Sequence, residues 1–297
     1  MKPNMLLMIQ RAMEMSGRQT LPNLSNSISI AKLRYIQSAY ETSEYRNPDT
    51  FVREFLPPPV RWLCMLQAKM QLSKLRLYPF YYYLIARTKH YDQVFNDAIF
   101  SNVRYIINIG CGTDTRAYRF ADDLRKKEIR VLECDLPQSI LAKEQLAKKK
   151  WPTDHVAYVS IDLNDNNSWP NLASRLTEIP SPVCLILEGV SAYIDEDPFS
   201  RFLNFIALKL KAGSDIAYDY KIRGPADDSD RIGRTKRPFQ LSAMKEDVVA
   251  YHEALGFRLE NMELSSDLTS RLLPNLVRPD ARLFTEDCLL KLTVAQK

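Results

Sequence analysis

Two of the chain's eight glycines, Gly110 and Gly112, flank Cys111 directly after the apolar run 105–109. The run predicts a buried parallel strand, the glycines a tight turn, and the residues that follow the start of a helix. Glycine lets the backbone pass close to a ligand because it has no Cβ atom. A strand, a glycine turn and a helix in this order are typical of a nucleotide-type cofactor site.

Acidic residues follow three further apolar runs, each where the predicted strand ends. Glu133 and Asp135 close the second run, Asp162 and Leu163 follow the third, and Glu188 follows the fourth. A carboxylate after the second strand can accept hydrogen bonds from both ribose hydroxyls, and the pair after the third suits an adenine pocket. Each acid alone could be a polar strand end that meets solvent, but their occurrence after successive strands favours one ligand site.

The start of the helix behind the glycine turn indicates which cofactor the site takes. A dinucleotide fingerprint has a third glycine where this chain has Thr115. Asp114 places a negative charge where a phosphate would lie, and the repulsion disfavours NAD. A ligand with a positive centre and no phosphate, such as S-adenosylmethionine with its sulfonium, fits this turn better. Thr113 or Asp114 can serve as a helix N-cap in either case.

Alternating strand-like and helix-like segments predict an α/β fold with a doubly wound, mostly parallel, Rossmann-like sheet. The predicted strands are 105–109, 129–134, 156–161, 183–187 and 215–220, and the predicted helices are about 114–127, 138–149, 196–211 and 241–254. Two more strand candidates, 257–264 and 283–294, predict an antiparallel last strand.

Two flanking segments are predicted to lie outside this sheet. Residues 1–100 show helical apolar spacing and predict an N-terminal helical cap, so that 101–297 form the cofactor-binding core. Residues from about 221 to 240 are rich in glycine and charge and predict a mobile lid loop.

The composition limits the classes of partner and compartment. A chain of 297 residues with 45% hydrophobic content can bury a substantial core, and its net charge of +5 is too mild to indicate nucleic acid as a partner. Five cysteines without a CxxC pair favour a reducing compartment and no metal site. No apolar run is long enough for a membrane span or a signal peptide. We therefore expect a cytoplasmic protein that binds neither nucleic acid nor membrane.

Several motifs occur together, in order, as they do in a known family. The segments NIGCGTDTRAYRF, LECDLP, SIDLND and ILEGVSAYI resemble the leucine carboxyl methyltransferase family of S-adenosylmethionine-dependent O-methyltransferases. The resemblance includes SAYETSEYRNPDTFVREFL and IARTKHYDQVF upstream and RPFQL with ALGF downstream, and covers about residues 35–290. The RPF stretch, 237–239, is similar to that of bacterial members that methylate small natural products.

The resemblance implies a cofactor role for each site residue. Arg87 would hold the methionine carboxylate of the cofactor, a task that suits a bidentate guanidinium. The glycine turn would lie under the methionine portion, Asp135 with Glu133 beside it would bind ribose, and Asp162 with its neighbour would contact adenine. Glu188 would lie near the methionine moiety and the substrate opening. The implied cofactor-binding residues are Arg87, Gly110, Cys111, Gly112, Glu133, Asp135, Asp162, Leu163 and Glu188.

The resemblance also implies methyl transfer to a carboxylate or a hydroxyl of a small-molecule acceptor. An ionised carboxylate needs no base, whereas a phenol with a pKa near 10 benefits from one. Tyr193, Asp219 and Tyr220 follow the fourth and fifth strands and are candidates for the acceptor pocket. The three histidines are scattered along the chain, and none is assigned as a base.

Two other functions stay open, and one is disfavoured. The acceptor could be the C-terminal carboxylate of a protein or peptide, or the chain could bind the cofactor without catalysis. A nucleic-acid amino-methyltransferase would carry an Asn- or Asp-Pro-Pro-aromatic motif after the fourth strand. This chain has Glu188-Gly189-Val190-Ser191 there, which argues against that class.

Overall fold

The computed structural model describes residues 24–224, 238–276 and 283–295. Most of the predicted lid loop lies outside the described residues, Arg237 included. The two residues at its start, Lys221 and Ile222, belong to the fifth strand.

Ten α-helices and eight strands form within these residues. The helices are α1 Leu24–Tyr40, α2 Pro58–Leu75, α3 Pro79–Phe100, α4 Arg116–Arg119, α5 Ala121–Lys126, α6 Pro137–Lys150, α7 Trp169–Thr177, α8 Glu196–Lys209, α9 Lys245–Ala254 and α10 Ser265–Leu272. The strands are β1 Tyr105–Ile109, β2 Arg130–Asp135, β3 Val156–Ser160, β4 Cys184–Leu187, β5 Asp215–Ile222, β6 Gln240–Leu241, β7 Phe257–Leu264 and β8 Asp287–Val294. In the described part of the chain, no helix has the length and apolarity that crossing a bilayer requires.

Local sequence signals explain several helix ends. Proline stands in the first turn of α2, α3, α6 and α7, where its missing N–H costs no helical hydrogen bond. Helix α9 ends just before Gly256, whose φ of +89° suits glycine.

All the strands join one sheet of order β3-β2-β1-β4-β5-β8-β7, with the short β6 paired to β5. Strands β1 to β5 pair in parallel, and β8 is antiparallel to both β5 and β7. The predicted doubly wound sheet with an antiparallel strand is therefore confirmed. The strand order reverses at β1 and β4, and ligands of such sheets bind beyond the carboxyl ends of the strands at this switch point.

Helices cover both faces of the sheet. Strand β4 is buried at all four positions, as expected for a central strand covered on both sides. Leu185 and Leu187 pack in one hydrophobic cluster with α8, and Ile186 packs in a second cluster with α3.

The N-terminal helices pack continuously with the sheet. Tyr83 and Phe95 of α3 are fully buried in the same cluster as Ile106 of β1, and Cys64 and Ala68 of α2 belong to that cluster too. The division into a cap and a core at residue 100 therefore stays a prediction, because the packing crosses it.

Two helices differ from their predicted bounds. The predicted helix 114–127 is two short helices, because the backbone at Phe120 leaves helical geometry with a ψ of 17° while its ring stacks on Phe95. The helix predicted from residue 241 begins at Lys245, because Leu241 pairs with β5 instead.

Candidate functional site

The glycine turn is held against the end of β2 by two backbone hydrogen bonds. The Gly112 N–H donates to Asp135 Oδ2 at 2.7 Å, and the Cys111 N–H donates to the Cys134 carbonyl at 3.1 Å. Gly110 and Gly112 have φ angles of +66° and +40°, in the left-handed region that glycine adopts without strain. The turn is thereby fixed at the switch point, at the carboxyl ends of β1 and β2.

Gly110→Ala should lower the free energy of unfolding by about 2–4 kcal/mol, because a Cβ there would overlap Val190 Cγ2 and the left-handed backbone adds strain. Gly213→Ala is the matched control: its φ is +81°, but the nearest atom to its Cβ would be 3.9 Å away, so only strain of about 1–2 kcal/mol applies. Urea denaturation measures both. Equal losses in the two variants would show that the contact with Val190 contributes nothing.

Asp135 lies half-buried at the point where β2 leaves the sheet. Its Oδ2 accepts from Gly112, and its Oδ1 accepts from the Leu136 N–H at 2.7 Å. Burial raises the pKa of Asp135, and these backbone donors oppose the rise. The carboxylate therefore stands beside the turn, in the position predicted for the ribose contact.

Glu133 is fully buried, and both of its carboxylate oxygens are engaged. Oε1 pairs with Lys143 Nζ at 2.8 Å, and Oε2 accepts from the Tyr118 hydroxyl at 2.9 Å. Burial raises the pKa of Glu133, and the Lys143 charge lowers it. The prediction that Glu133 shares the ribose contact is not supported by this arrangement, because the side chain turns into the protein beneath the turn.

Asp162 and Leu163 follow β3 at the same edge of the sheet as Asp135. Asp162 Oδ1 accepts from the Asn164 N–H at 2.9 Å, and its carbonyl accepts from Ser168 Oγ at 2.8 Å, which fixes the loop. Asp162 is half-buried, whereas Leu163 packs in the core with 5% exposure. The pair thus supplies one polar group and one apolar group.

Asp114 does not present a free charge to a ligand. Its Oδ2 accepts from Asn108 Nδ2 at 2.9 Å and pairs with Arg116 Nη1 at 2.5 Å, and its Oδ1 accepts from the Arg116 N–H. Burial alone would raise the pKa of Asp114, but the charges of Arg116 and Lys143 hold it well below its ordinary value. Because this carboxylate is buried and paired with Arg116, its charge alone does not exclude a phosphate at this position, and the exclusion of NAD stays a prediction.

Glu188, which follows β4, lies between two buried arginines. Its Oε1 is 3.3 Å from Arg87 Nε on α3, and its Oε2 is 2.8 Å from Arg116 Nη1. Arg116 also contacts Asp92 and Asp114, so that each charge in this group has a partner of opposite sign. The structure thus brings together Arg87 and Glu188, two of the predicted cofactor-binding residues.

Asp219 of β5 extends this group toward the far side of the switch point. Its Oδ1 accepts from the Gly189 N–H at 2.6 Å and from the Tyr91 hydroxyl at 3.0 Å. Its Oδ2 lies 3.6 Å from Arg87 Nη1. Burial raises the pKa of Asp219 to about 6, against the lowering effect of the Arg87 charge.

The other two candidates for the acceptor pocket, Tyr193 and Tyr220, lie in different surroundings. Tyr193 is 45% exposed. Desolvation raises the pKa of its phenol, the charges of Arg87 and Lys221 oppose the rise, and the charge of Asp219 adds to it. Tyr220 is 1% exposed and donates to the Ser242 carbonyl at 2.8 Å. Because neighbouring residues of a strand point to opposite faces, Tyr220 lies on the face away from Asp219, and its predicted pocket role is not supported.

Sequence reasoning missed Arg116, the residue that joins most of these carboxylates. A cation two positions after Asp114, inside the quoted glycine segment, was the available signal. Its partner Asp92 lies on α3, and Tyr91 beside it places its ring 5.6 Å from the Arg116 guanidinium carbon.

His155 and His252 form their hydrogen bonds outside this group. His252 Nε2 bonds the Tyr218 hydroxyl at 2.7 Å, and His155 Nε2 bonds the Ala117 carbonyl at 3.0 Å. Over the described ranges, no three His, Cys, Asp or Glu side chains cluster as ligands of a metal ion would.

Known proteins share the sequence and the fold of this chain. The family model described as leucine carboxyl methyltransferase matches residues 27–207. A Frankia alni protein is 24% identical over 61% of this chain, and a Streptomyces coelicolor protein is 23% identical over 67%. Both are named as candidate S-adenosyl-L-methionine-dependent methyltransferases. The matched segments span 63% and 70% of those two proteins, respectively.

A crystal structure from Thermobifida fusca, described as a candidate methyltransferase, superposes with a TM-score of 0.54 at 15% identity. The superposition covers 90% of this chain and 95% of that one, so the two share a fold. The family model spans more than half of this chain and includes β1 to β4 with the glycine turn. The resemblance stated from the motifs is therefore confirmed: the chain belongs to the leucine carboxyl methyltransferase family.

Proposed function

We propose that this protein transfers a methyl group from S-adenosylmethionine to an oxygen atom of a small-molecule acceptor. S-adenosylmethionine is the cofactor named for both relatives described above. The observation that carries the proposal is the glycine turn, which is fixed on Asp135 at the switch point. Arg116 links the residues that follow the turn to the pair of Arg87 and Glu188, because its Nη1 contacts both Asp114 and Glu188.

The residues present fit this cofactor. The turn residues Gly110 and Gly112 leave the backbone open to close approach of a ligand. Arg87 Nε is buried and lies 3.3 Å from Glu188 Oε1 without a hydrogen bond to it, so a cofactor carboxylate would share this guanidinium with Glu188. A Cβ on Gly189 would lie 3.4 Å from the Arg87 guanidinium, so glycine there keeps that space free.

Each residue then has a role in binding or orientation. Asp135 accepts hydrogen bonds from the ribose hydroxyls, Asp162 and Leu163 contact adenine, and Arg87 binds the methionine carboxylate. When bound, S-adenosylmethionine supplies an electrophilic methyl group on a sulfonium. Holding the acceptor in line with that methyl group and excluding water supplies most of the rate enhancement. A carboxylate-bearing peptide is the alternative acceptor.

A melting experiment tests the cofactor assignment. At about 100-fold over the dissociation constant, S-adenosylmethionine or S-adenosylhomocysteine should stabilise the protein by about 2.7 kcal/mol. NAD serves as the comparison, since the charge of Asp114 no longer argues against it. A shift with NAD alone would overturn the proposal. A shift with the sulfur ligands, without methyl transfer to any small molecule or peptide in an acceptor library, would instead favour a non-catalytic binding protein.

Asp135→Asn should weaken S-adenosylhomocysteine binding about tenfold or more, because an amide offers one acceptor oxygen where the carboxylate offers two with a charge. Asp154→Asn is the matched control, since Asp154 is exposed before the opposite, amino end of β3. Calorimetric titration measures both affinities. An unchanged affinity in Asp135→Asn would remove this carboxylate from the ribose site.

A further inference from the structure

We propose that the outward face of helix α2 docks on an anionic lipid surface and holds the protein at a membrane without crossing it. This face, the α2 ridge, consists of Trp62, Leu63, Leu66 and Met70, with Leu77 just beyond the end of the helix. The inference goes beyond methyl transfer and does not depend on it, because no ridge residue belongs to the proposed cofactor site. It replaces the expectation of no membrane contact, which rested on composition and on the lack of a spanning segment.

The ridge is apolar and open to solvent. Its four most exposed side chains have exposed fractions of 56, 54, 75 and 65%, in the order Trp62, Leu63, Met70 and Leu77. With about 3.6 residues per helical turn, these positions recur on one side of α2, and the half-buried Leu66 lies between them. The opposite side of the helix is buried through Cys64, Ala68 and Leu75. Helix α2 is therefore apolar on two sides, and the described residues leave the ridge uncovered.

Apolar side chains exposed elsewhere on the described surface do not form a comparable stripe. Those that are more than half exposed lie on separate elements and are Phe100, Leu141, Leu208 and Met244. Single exposed apolar residues are ordinary on a protein surface, whereas several that adjoin each other mark a contact surface. The ridge is therefore the patch that calls for a partner.

Basic side chains flank the ridge on both edges. Lys69 and Lys74 are exposed, and helical spacing places them at opposite edges of the apolar stripe. The chain contains no Asp or Glu between residues 55 and 91, so no acid of this segment offsets them. Lysines beside an apolar stripe can extend their ammonium groups to lipid phosphates while the stripe enters the boundary with the acyl chains.

More positive charge lies beside the start of α2. Helix α6 ends in the three exposed lysines Lys148, Lys149 and Lys150. Lys150 Nζ is 2.7 Å from Glu54 Oε2, and Arg53 Nε is 3.3 Å from Glu54 Oε1. Glu54, the last acid before the ridge in the sequence, is thus paired with cations on both of its oxygens. The surroundings of the ridge therefore favour an anionic partner.

Charge and shape distinguish a lipid surface from other occupants. In a two-fold contact between copies of this chain, the same ridge would supply both sides, and Lys69 and Lys74 would approach like charges. A helix of another protein docks in a groove, whereas the ridge is the protruding side of a helix. An anionic membrane offers phosphates to the lysines and an apolar layer to the ridge, and tryptophan is enriched at that boundary.

The first test measures binding of the full chain to vesicles by flotation. One set contains phosphatidylcholine with phosphatidylglycerol as the anionic lipid, and the other contains phosphatidylcholine alone. We expect the affinity for the anionic vesicles to be at least about tenfold higher and to fall at high salt, because the lysine contacts are screened. No binding to the anionic vesicles, or equal binding to both sets, would overturn the inference.

The second test uses the double variant Leu63→Glu, Met70→Glu, which places two negative charges on the ridge. We expect its affinity for anionic vesicles to fall about tenfold or more. The matched control is Leu208→Glu, Met244→Glu, whose parent side chains are 60% and 62% exposed away from the ridge, and it should stay within about twofold of wild type. Circular dichroism and melting check that both variants fold. Full binding by the ridge variant would place the contact elsewhere in the chain and overturn the inference.

A third readout locates the contact without disturbing the charge. Trp62 is exposed, whereas Trp151 is half-buried against Tyr118 and Trp169 lies in the core. Phospholipids that carry bromine near the headgroup should quench part of the tryptophan fluorescence of the wild-type protein. Trp62→Phe keeps an apolar ring and should remove that quenchable part. Quenching that persists in Trp62→Phe would contradict the placement of the ridge in the membrane.

Sedimentation of the protein alone tests the rival occupant. We expect the mass distribution of the wild-type protein to match that of the Leu63→Glu, Met70→Glu variant at the same concentrations. A dimer that forms in the wild type and is lost in this variant would show that the ridge joins two copies, and would overturn the docking on lipid.

Discussion

Arg116→Met lowers the free energy of unfolding by an expected 3–5 kcal/mol, about the cost of leaving a buried carboxylate without its ion-pair partner. The Arg116 side chain is 1% exposed and contacts Asp92, Asp114 and Glu188 at 2.8, 2.5 and 2.8 Å. In this variant Asp92 still has its ion pair with Arg119, and Glu188 still has its ion pair with Arg87. Among the described residues, Asp114 loses its ion pair and retains the Asn108 amide and the backbone N–H of residue 116 as donors, so most of the loss arises there.

The comparison variant is Arg125→Met, whose ion pair with Asp122 is 54% and 82% exposed, and its effect should stay below about 1 kcal/mol. The pH dependence gives a second check. The pKa of Asp114 is held below its ordinary 3.8, so its ion pair stabilises the fold above that pH and the gain is lost as pH falls. The difference in free energy of unfolding between wild type and Arg116→Met should therefore decrease below about pH 4. A difference in free energy of unfolding that is small at pH 7, or that increases in acid, would contradict the role assigned to Arg116.

Lys143→Met should likewise lower the free energy of unfolding by about 3–5 kcal/mol. The side chains of Lys143 and Glu133 are 1% and 0% exposed, and their charged atoms are 2.8 Å apart. Without the ammonium, Glu133 keeps only the hydrogen bond from Tyr118 for its buried charge. Lys143 Nζ also donates to the Cys111 carbonyl at 3.3 Å, so its removal loosens the glycine turn.

A double-mutant cycle separates the unpaired charge from lost packing. Lys143→Met combined with Glu133→Gln removes both charges and keeps the acceptor for Tyr118. The double variant should recover all but about 1–2 kcal/mol of the wild-type stability, because replacing a buried pair by neutral groups is often nearly neutral. Urea denaturation of the four proteins measures the coupling. Additive losses would mean that the two side chains do not act as a pair.

The sheet could be predicted closely because its signals are local. The run 105–109 is β1 in full, and the glycine at 256 ends α9 as the sequence indicates. The break at Phe120, whose ring stacks on Phe95 of α3, has no signal within the segment itself. Propensity within a segment does not report such tertiary contacts.

The positions of the site residues at the strand ends could be predicted from the sequence, but the directions of several side chains could not. Strand alternation alone shows that Asp219 and Tyr220 cannot both face one pocket. Glu133 and Asp135 lie on the same face of β2, but only Asp135 is the last residue of the strand. Their positions along the strand could have indicated which of the two reaches its end. The pairing of Asp114 with Arg116 could be recognised only from the folded structure. The contact of Arg116 with Glu188 likewise joins residues far apart in the chain.

Strand β8 has a consequence for the order in which the protein can assemble during synthesis. It lies between β5 and β7 in the sheet, although it follows both in the chain, so β7 has no place in the sheet until β8 has left the ribosome. The strands that carry the glycine turn and Asp135 do not need it. Asp287, the partner of Lys221 beside Asp219, arrives with β8 itself. The glycine turn and Asp135 can therefore be positioned on an incomplete nascent chain, whereas the surroundings of Asp219 are completed last.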